Sequence, residues 1–167
     1  MQDTTKKILH LLHPDQPVDV RCAAALVLGE VGTKDAELTR ALCDSLKDGD
    51  PRLRVQIIQA VGKLRIEAAL PQLLQRVKEG GEEAEQAAQA AAKLGAKGTR
   101  ALQELMPKVA PGLRRTIASA LAAAGTASSE TAAVAVLLNK DPGVVEAAVR
   151  SLSAQVPTLT PSHRQTL

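Results

Sequence analysis

This 167-residue chain contains no Phe, Trp or Tyr. Its apolar content is ordinary at 45%, so any core must be built from Ala, Leu, Val and Ile. Such a core suits closely packed helices better than a β-sandwich, whose strands favour β-branched and aromatic residues. The length and composition therefore predict one domain, residues 1–167, with a sizeable helical core.

Cysteines and long apolar runs are also scarce. Cys22 and Cys43 are the only two cysteines, and both interrupt Ala- and Leu-rich helical patterns. This placement favours two small buried thiols in a reducing compartment over a disulfide framework. No apolar run is long enough to span a bilayer, and the N-terminus lacks the apolar segment of a signal peptide. We therefore expect a cytoplasmic protein without a transmembrane segment.

Neither sign of charge dominates the chain. It has 21 Lys and Arg against 18 Asp and Glu, for a formal net charge of +3 and an isoelectric point of about 9.0. Charges of both signs alternate along most of the predicted helices, which is typical of a solvated surface. The small excess gives little support to a nucleic-acid partner.

One segment, Asp50–Arg65, shows how the helices are built. Asp50 is a good N-cap, and Pro51 suits the first helical position, where its missing N–H costs nothing. Apolar residues then recur at helical spacing and predict one buried face: Leu53, Ile57, Val61 and Leu64. Polar residues fall together on another face: Arg52, Gln56, Gln59 and Lys63.

Two helical patterns alternate along the chain, which indicates a repeat architecture. An outer helix has apolar residues at i, i+3 and i+4; its copies begin 30 and then 32 residues apart, at Ile8, Leu38, Leu70, Leu102 and Val134. An inner helix follows each of them. The predicted inner helices are Val18–Gly32, Asp50–Arg65, Glu82–Gly95, Pro111–Gly125 and Asp141–Val156.

Small residues recur at two places in the inner helices. Just past the helix end a left-handed cap favours glycine, and Gly32, Gly95 and Gly125 stand there, with Arg65 and Val156 in the other copies. Nearer the helix centre one position stays small, which would let neighbouring helices approach closely: Gly29, Gly62, Ala92 and Ala122. In the outer helices, Leu74 is predicted to be a core residue, and Pro107 should end or kink its helix.

These segments resemble the HEAT-repeat family, in particular the short bacterial type also found in phycobilin-lyase-like proteins. The resemblance covers residues 3–156 and is carried by AELTRALCDSLKDGDPRLRVQIIQAVGKLR, by AALPQLLQRVKEG, and by one early arginine in three inner helices: Arg21, Arg54 and Arg114. It implies an all-α, right-handed α-solenoid of about five helical hairpins. The repeats would span approximately 3–32, 35–65, 67–95, 98–125 and 129–156, with 157–167 a tail or the start of a truncated further repeat.

The family resemblance also implies that the early arginine bonds an acidic side chain of the adjacent repeat. Ala84 and Val145 replace it in the third and fifth inner helices. The sequence alone leaves its acidic partner open. Glu82, Glu83 and Glu85 crowd the start of the third inner helix, where acids complement the helix dipole.

Candidate catalytic and metal-binding residues are few. His10 and His13 stand three residues apart with Asp15 close behind, but two more ligands for a metal are missing nearby, so a histidine pair favourably placed at a helix C-terminus is the simpler interpretation. The chain shows no nucleophilic triad, Gly-rich phosphate loop or zinc-spaced Cys/His cluster. We therefore expect a protein that is not an enzyme and needs no metal or cofactor.

The better functional signal is a polar stripe on two successive inner helices. Aligning them places Gln56, Gln59 and Lys63 beside Gln86, Gln89 and Lys93, with Arg52 beside Glu82. In HEAT-like stacks the inner helices line the concave surface, so the stripe predicts a site for an extended polar or acidic segment of a partner protein. Gln and Lys are also good helix formers that fill ordinary exposed faces. The predicted partner-binding residues are Arg52, Gln56, Gln59, Lys63, Gln86, Gln89 and Lys93.

Three functions follow from the sequence, in order of preference. The first is a non-enzymatic protein-interaction scaffold, since solenoids present extended surfaces without a natural catalytic pocket. The second is a nucleic-acid binder, although no aromatic residue is present to stack on a base; its cations would be Arg52, Lys63, Lys93, Arg114, Arg115 and Arg150. The third is a phycobilin-lyase-like protein, the least favoured because no aromatic side chain could line a tetrapyrrole site.

Overall fold

The structure is a computed structural model that describes residues 2–124, 136–137 and 139–155. Within these ranges every regular element is helical. The α-helices are α1 (Gln2–His10), α2 (Val18–Val31), α3 (Ala36–Ser45), α4 (Pro51–Leu64), α5 (Leu70–Glu79), α6 (Glu83–Lys93), α7 (Ala96–Leu105), α8 (Pro111–Ala123) and α9 (Pro142–Gln155). There are also two short 3-10 helices: Glu67–Ala69 precedes α5, and Met106–Lys108 follows α7.

The helices form two layers. The inner helices α2, α4, α6, α8 and α9 pack each against the next in chain order, and α1, α3, α5 and α7 pack on the inner helices that follow them. This confirms the predicted α-solenoid of helical hairpins. The predicted repeat boundaries stay predictions. The residues that would complete the fifth outer helix, Val134 and Leu138, and the tail at 157–167 lie outside the described residues.

The helix starts follow the local chemistry of the sequence. Asp50 accepts a hydrogen bond from the backbone N–H of Arg52 at 2.8 Å, and Pro51 occupies the first position of α4. Asp35 caps α3 in the same way, accepting from the N–H of Leu38 at 2.8 Å. At the other end of a helix, α7 stops at Leu105, two residues before Pro107, as predicted, because the proline ring would clash with the carbonyl one turn back.

The predicted glycine caps are only partly correct. Gly95 has a positive φ of 82°, and Arg65 adopts the left-handed region with φ 51° in the copy that lacks glycine. Gly32 is the exception, because its φ is −65° and its backbone is extended. A Cβ on Gly32 would lie 2.3 Å from the carbonyl oxygen of Leu28 and 2.8 Å from a methyl of Leu38, so crowding and not backbone conformation excludes a side chain there. Gly125 lies outside the described residues.

The small position near the C-terminal end of the inner helices is a site of close helix contact in α2 and α4, as predicted. A Cβ on Gly29 of α2 would lie 2.9 Å from the Cα of Ala60 on α4, and one on Gly62 of α4 would lie 3.0 Å from the Cα of Ala90 on α6. A methyl group at Gly29 would therefore need α2 or α4 to shift, and one at Gly62 would need its neighbour to give by a few tenths of an ångström.

The core is aliphatic throughout the described residues. Each inner helix contributes fully buried residues such as Leu28, Ile57 and Ile117, and the outer helices contribute the apolar triplets predicted from the sequence, most of them buried. The prediction for Leu74 is wrong: Leu73 is fully buried, whereas Leu74 is only partly buried against the core. Helix α5 faces the core with Leu70, Leu73 and Val77, which leaves Leu74 at the edge of that face.

We expect Gly29→Ala to destabilise the protein. The added methyl has to push α2 away from α4, at a cost of about 1–3 kcal/mol, which exceeds the gain of roughly 0.5–1 kcal/mol from replacing Gly by Ala in a helix. Gly112→Ala in α8 is the control, since a Cβ there would meet no atom within 4 Å, and it should be neutral or stabilising. Urea unfolding compares the two variants; an unchanged midpoint for Gly29→Ala would contradict the close contact.

A second expectation concerns the core face of α5. Leu73→Ala should cost about 2–5 kcal/mol, because it removes a fully buried side chain and leaves a cavity. Leu74→Ala should cost clearly less, because its side chain is partly exposed, and Gln59→Ala on the surface of α4 should change stability by less than about 0.5 kcal/mol. Equal losses for Leu73→Ala and Leu74→Ala in the same urea measurements would show that the face of α5 is assigned incorrectly.

Candidate functional site

A shallow groove runs between α4 and α6 at the centre of the predicted stripe. Its volume is about 210 Å³, and its walls contain five of the seven predicted partner-binding residues: Gln59, Lys63, Gln86, Gln89 and Lys93. Gly62 and Ala90 also line it, so the close contact between the two helices forms its floor. Arg52 and Gln56 belong to the same helix α4 but do not line this groove. We call this groove, with the five predicted residues in its walls, the inner-helix groove.

Ion pairs neutralise part of the predicted positive charge. Lys63 forms an ion pair with Glu30 of α2. Arg52 pairs with Asp19 of α2 at 3.3 Å and with Asp50 at 3.2 Å. The hydrogen bond to the Asp50 side chain raises the pKa of the Arg52 guanidinium, so this residue stays charged in its pair. Two of the three stripe cations therefore bridge α4 to α2.

The remaining groups in the groove are less engaged. Lys93 is exposed, and no acidic side chain among the described residues forms an ion pair with it. Gln89 donates from Nε2 to Glu85 Oε1 at 3.2 Å. The side-chain oxygen of Gln86 is buried without a hydrogen-bond partner. The groove thus offers one unpaired cation and several amide groups.

Two of the three early arginines of the inner helices have acidic partners, which the sequence left open. Arg21, buried in α2, donates from Nε to the Leu12 carbonyl at 3.1 Å and from Nη2 to Asp48 Oδ2 at 2.8 Å. Arg54 donates from Nε to both carboxylate oxygens of Glu83, at 3.0 and 3.1 Å, and from Nη1 to the Asp48 carbonyl at 2.6 Å. Glu83, which lies in the first turn of α6, therefore also holds Arg54 of the preceding inner helix.

The third early arginine lacks such a bridge. Arg114 donates from Nε to the Val109 carbonyl at 3.0 Å, within its own repeat, and no carboxylate of the described residues forms an ion pair with it. The connected arginines Arg21 and Arg54, with Asp48 and Glu83, are called the arginine ladder below. The ladder joins the first three inner helices.

Comparison with known proteins agrees with this geometry. The family model described as HEAT repeats matches residues 5–93, which is just over half of the chain. The chain belongs to the HEAT-repeat family. Among solved structures, it resembles the crystal structure of an engineered protein with a TM-score of 0.54 and 19% sequence identity, covering 90% of this chain and 78% of that one. At this identity the likeness concerns the fold alone. No curated protein matches the chain.

HEAT repeats are generally protein-interaction scaffolds. In the described part of the chain, no three His, Cys, Asp or Glu side chains come together in a way that could hold a metal ion. The rings of His10 and His13 stack with centroids 6.2 Å apart, and His13 Nδ1 lies 3.0 Å from Asp15 Oδ2. None of the described helices is both long and apolar enough to cross a membrane.

The same two histidines line a second cavity that sequence reasoning missed. It has a volume of about 670 Å³ and lies between the end of α1, α3 and the turn after α3. Lys6, Arg21, Asp44 and Lys47 are among the side chains around it. These residues come from three separate segments, and no spacing in the sequence connects them.

The two cysteines are unlinked, as predicted, but the prediction that they are buried is wrong. Both are of intermediate exposure. Partial burial is still the main cause that raises the pKa of each thiol. Cys22 occupies the place that Val55 and Glu85 take in the next two inner helices, which is at the margin of the core and not inside it.

The arginine ladder makes the folding stability of this HEAT-repeat protein depend on pH in the acid range. The backbone N–H of Asp50, and next the side chain of Arg21, lower the pKa of Asp48 in the folded protein. The contribution of ionised Asp48 to folding stability is therefore complete above the ordinary aspartate pKa of about 3.9. It is lost as the pH falls through the lower pKa that Asp48 has in the folded protein.

Asp48→Asn should test this dependence. At neutral pH the variant should lose about 1.5–3 kcal/mol, the range for a hydrogen bond to a charged group. The difference from the parent should shrink towards about pH 2, because the parent then also carries a neutral Asp48. Denaturant unfolding across this pH range gives the comparison. Asp44→Asn makes the same change in net charge but keeps Asp48; a deficit for Asp48→Asn that is constant with pH would contradict the role of its charge.

Proposed function

We propose that this HEAT-repeat protein is a non-enzymatic scaffold that binds a partner protein along its inner helices, with the inner-helix groove at the centre of the site. HEAT-repeat solenoids are typically non-enzymatic, and their extended surfaces suit binding. The single observation that supports this position is the convergence of Gln59, Lys63, Gln86, Gln89 and Lys93 on one groove between two helices.

The groove chemistry favours an acidic, extended segment of the partner. Lys93 provides a cation without a competing acid among the described residues. The amides of Gln59 and Gln89 can donate to and accept from a partner's backbone. Lys63 can contribute at its margin, although a partner carboxylate has to compete with Glu30. Arg52 and Gln56 become peripheral contacts in this proposal, since neither lines the groove.

A nucleic-acid partner is not favoured, because most of the cations proposed for it are engaged. Arg52 and Lys63 pair with acids of α2, Arg150 pairs with Glu146 at 2.7 Å, and Arg114 is tied to a carbonyl. A backbone contact to phosphate requires cations free to replace counterions. The absence of every aromatic residue likewise argues against stacking on bases and against a bilin site. Cytoplasmic location remains our expectation, and the unlinked thiols agree with it.

Charge reversal in the groove tests the proposal. Lys63→Glu/Lys93→Glu should weaken capture of an acidic partner roughly tenfold, since each exposed ion pair contributes about 0.2–1 kcal/mol and repulsion adds to its loss. Helix content should not change, because Glu and Lys are comparable helix formers. Pulldown from cells of the source organism, repeated at two salt concentrations, identifies the partners whose binding depends on charge.

The matched control is Lys78→Glu/Lys108→Glu. It makes the same change in net charge, but both residues are exposed and lie on α5 and on the 3-10 helix after α7, away from the groove. Partners recovered by the parent and by this control, but lost with the groove variant, would support the proposal. Recovery of the same proteins by all three folded proteins would place the binding surface elsewhere.

A further inference from the structure

The polar stripe on α4 and α6 carries opposite charges at its two ends. On α6 it runs from Glu82 to Lys93, and on α4 from Arg52 to Lys63. Glu82 and Lys93 are eleven residues apart, which is about three turns of helix, so their side chains lie on the same face. Glu82 immediately precedes α6 and already has a helical backbone, with φ −68° and ψ −27°, which keeps it in this register.

Carboxylates outnumber cations at the end where α4 and α6 begin. Arg52 is bound by Asp19 and Asp50, and together with Glu82 it lines a cavity of about 400 Å³. Glu82 is exposed and forms no ion pair among the described residues. Three carboxylates and one guanidinium therefore leave this end of the stripe negative. The other charged residues of the cavity are paired: Arg76 with Glu79, and Glu83 with Arg54.

The opposite end of the stripe carries a net positive charge. Lys63 is paired with Glu30, whereas Lys93 forms no ion pair with any residue that the structure describes. The Cδ atom of Lys93 lies 3.8 Å from the place that a Cβ on Gly62 would take. The side chain of Lys93 therefore extends across the groove towards α4.

We propose that the inner-helix groove selects a partner segment that carries both an acidic and a basic residue at a set spacing. The inference rests on the proposed function and specifies its ligand. The base of the segment binds at Glu82 and its acid at Lys93. Helix dipoles favour a carboxylate at a helix N-terminus and an ammonium group at a C-terminus, so both groups are stable in their places before a partner binds.

The length of α6 sets the spacing of the two charges. Eleven residues of helix place the Cα atoms of Glu82 and Lys93 about 16 Å apart. An extended segment rises about 3.3 Å per residue and turns alternate side chains to the same side, so an acid and a base that share a face span about 13 Å when four residues apart and about 20 Å when six apart. The flexible side chains of Glu82 and Lys93 cover the difference. A segment whose acid and base are adjacent reaches only one end of the stripe.

Selection from a phage-displayed library of random dodecapeptides tests this spacing. Several peptide copies on each phage compensate for the weakness of single contacts. The parent protein should enrich peptides whose acid and base are four or six residues apart over peptides of the same composition with other spacings. A synthetic peptide of the enriched spacing should bind the parent about threefold more tightly than its isomer with adjacent charges, because the second exposed ion pair contributes modestly.

Charge changes at the two ends assign the contacts. Lys93→Glu should select bases at both places and Glu82→Lys acids at both, with unchanged circular dichroism spectra. Glu82→Gln guards against a folding defect at the start of α6; it should lose the preference for a base without gaining one for a second acid. The matched controls, Lys78→Glu on α5 and Glu37→Lys on α3, change exposed residues and should select the same peptides as the parent.

The inference and the proposed function fail in different ways. Acidic peptides that Lys93→Glu loses, without a preference for a base or for its spacing, would overturn this inference and leave the groove as the binding site. Selection of the same peptides by the parent and by both folded Glu82 variants would have the same meaning. Selection of the same peptides by the parent and by Lys93→Glu, or no enrichment at all, would contradict both.

Discussion

The absence of a side chain at one position in each of the first two described inner helices sets the spacing of the stack. Gly29 lies against Ala60 and Gly62 against Ala90, so the backbones approach so closely that a larger residue would require a shift. This spacing brings Asp19 and Glu30 within reach of Arg52 and Lys63. It also makes the groove between α4 and α6 shallow and gives it a floor of backbone and methyl groups. A chain without aromatic residues suits such contacts, because only small and branched aliphatic side chains fit around them.

Charged groups inside the stack are satisfied by shared partners. Asp48 is central to them: its carboxylate accepts from Arg21 and from the N–H of Asp50, and its carbonyl accepts from Arg54. A buried guanidinium without such partners would carry a large desolvation cost. The turn Lys47–Asp50 is therefore more than a connection between helices, because it links two arginines that belong to successive repeats.

Much of the fold could be predicted from the sequence, since helical periodicity and capping are local. Asp50, Pro51, Pro107 and the small positions all behave as their chemistry requires. The predictions were wrong where the result depends on a neighbour in space. Leu74 and the two cysteines lie at the margins of buried faces whose width the sequence does not define. At position 32 only glycine fits, because Leu28 and Leu38 leave no space for a side chain.

For the candidate site, helical alignment alone places five polar residues together, and the structure shows them lining one groove. The pairing of Lys63 with Glu30 and of Arg54 with Glu83 could not be assigned from the sequence. Several acids lie at comparable separations along the chain, and only the packed repeats select among them. Whether a stripe cation is paired or free therefore depends on contacts that periodicity does not show.

The end of the arginine ladder at α6 has a mechanical consequence. Oriented hydrogen bonds to Asp48 and Glu83 resist sliding between the first three inner helices, since their strength depends on angle and distance. Between α6 and α8 the described inner-helix side chains form no ion pair, and much of the contact is between small apolar groups whose attraction depends little on direction. Among the described inner helices, the contact between α6 and α8 therefore resists sliding through packing alone, whereas α2, α4 and α6 are also held in register by the arginine ladder.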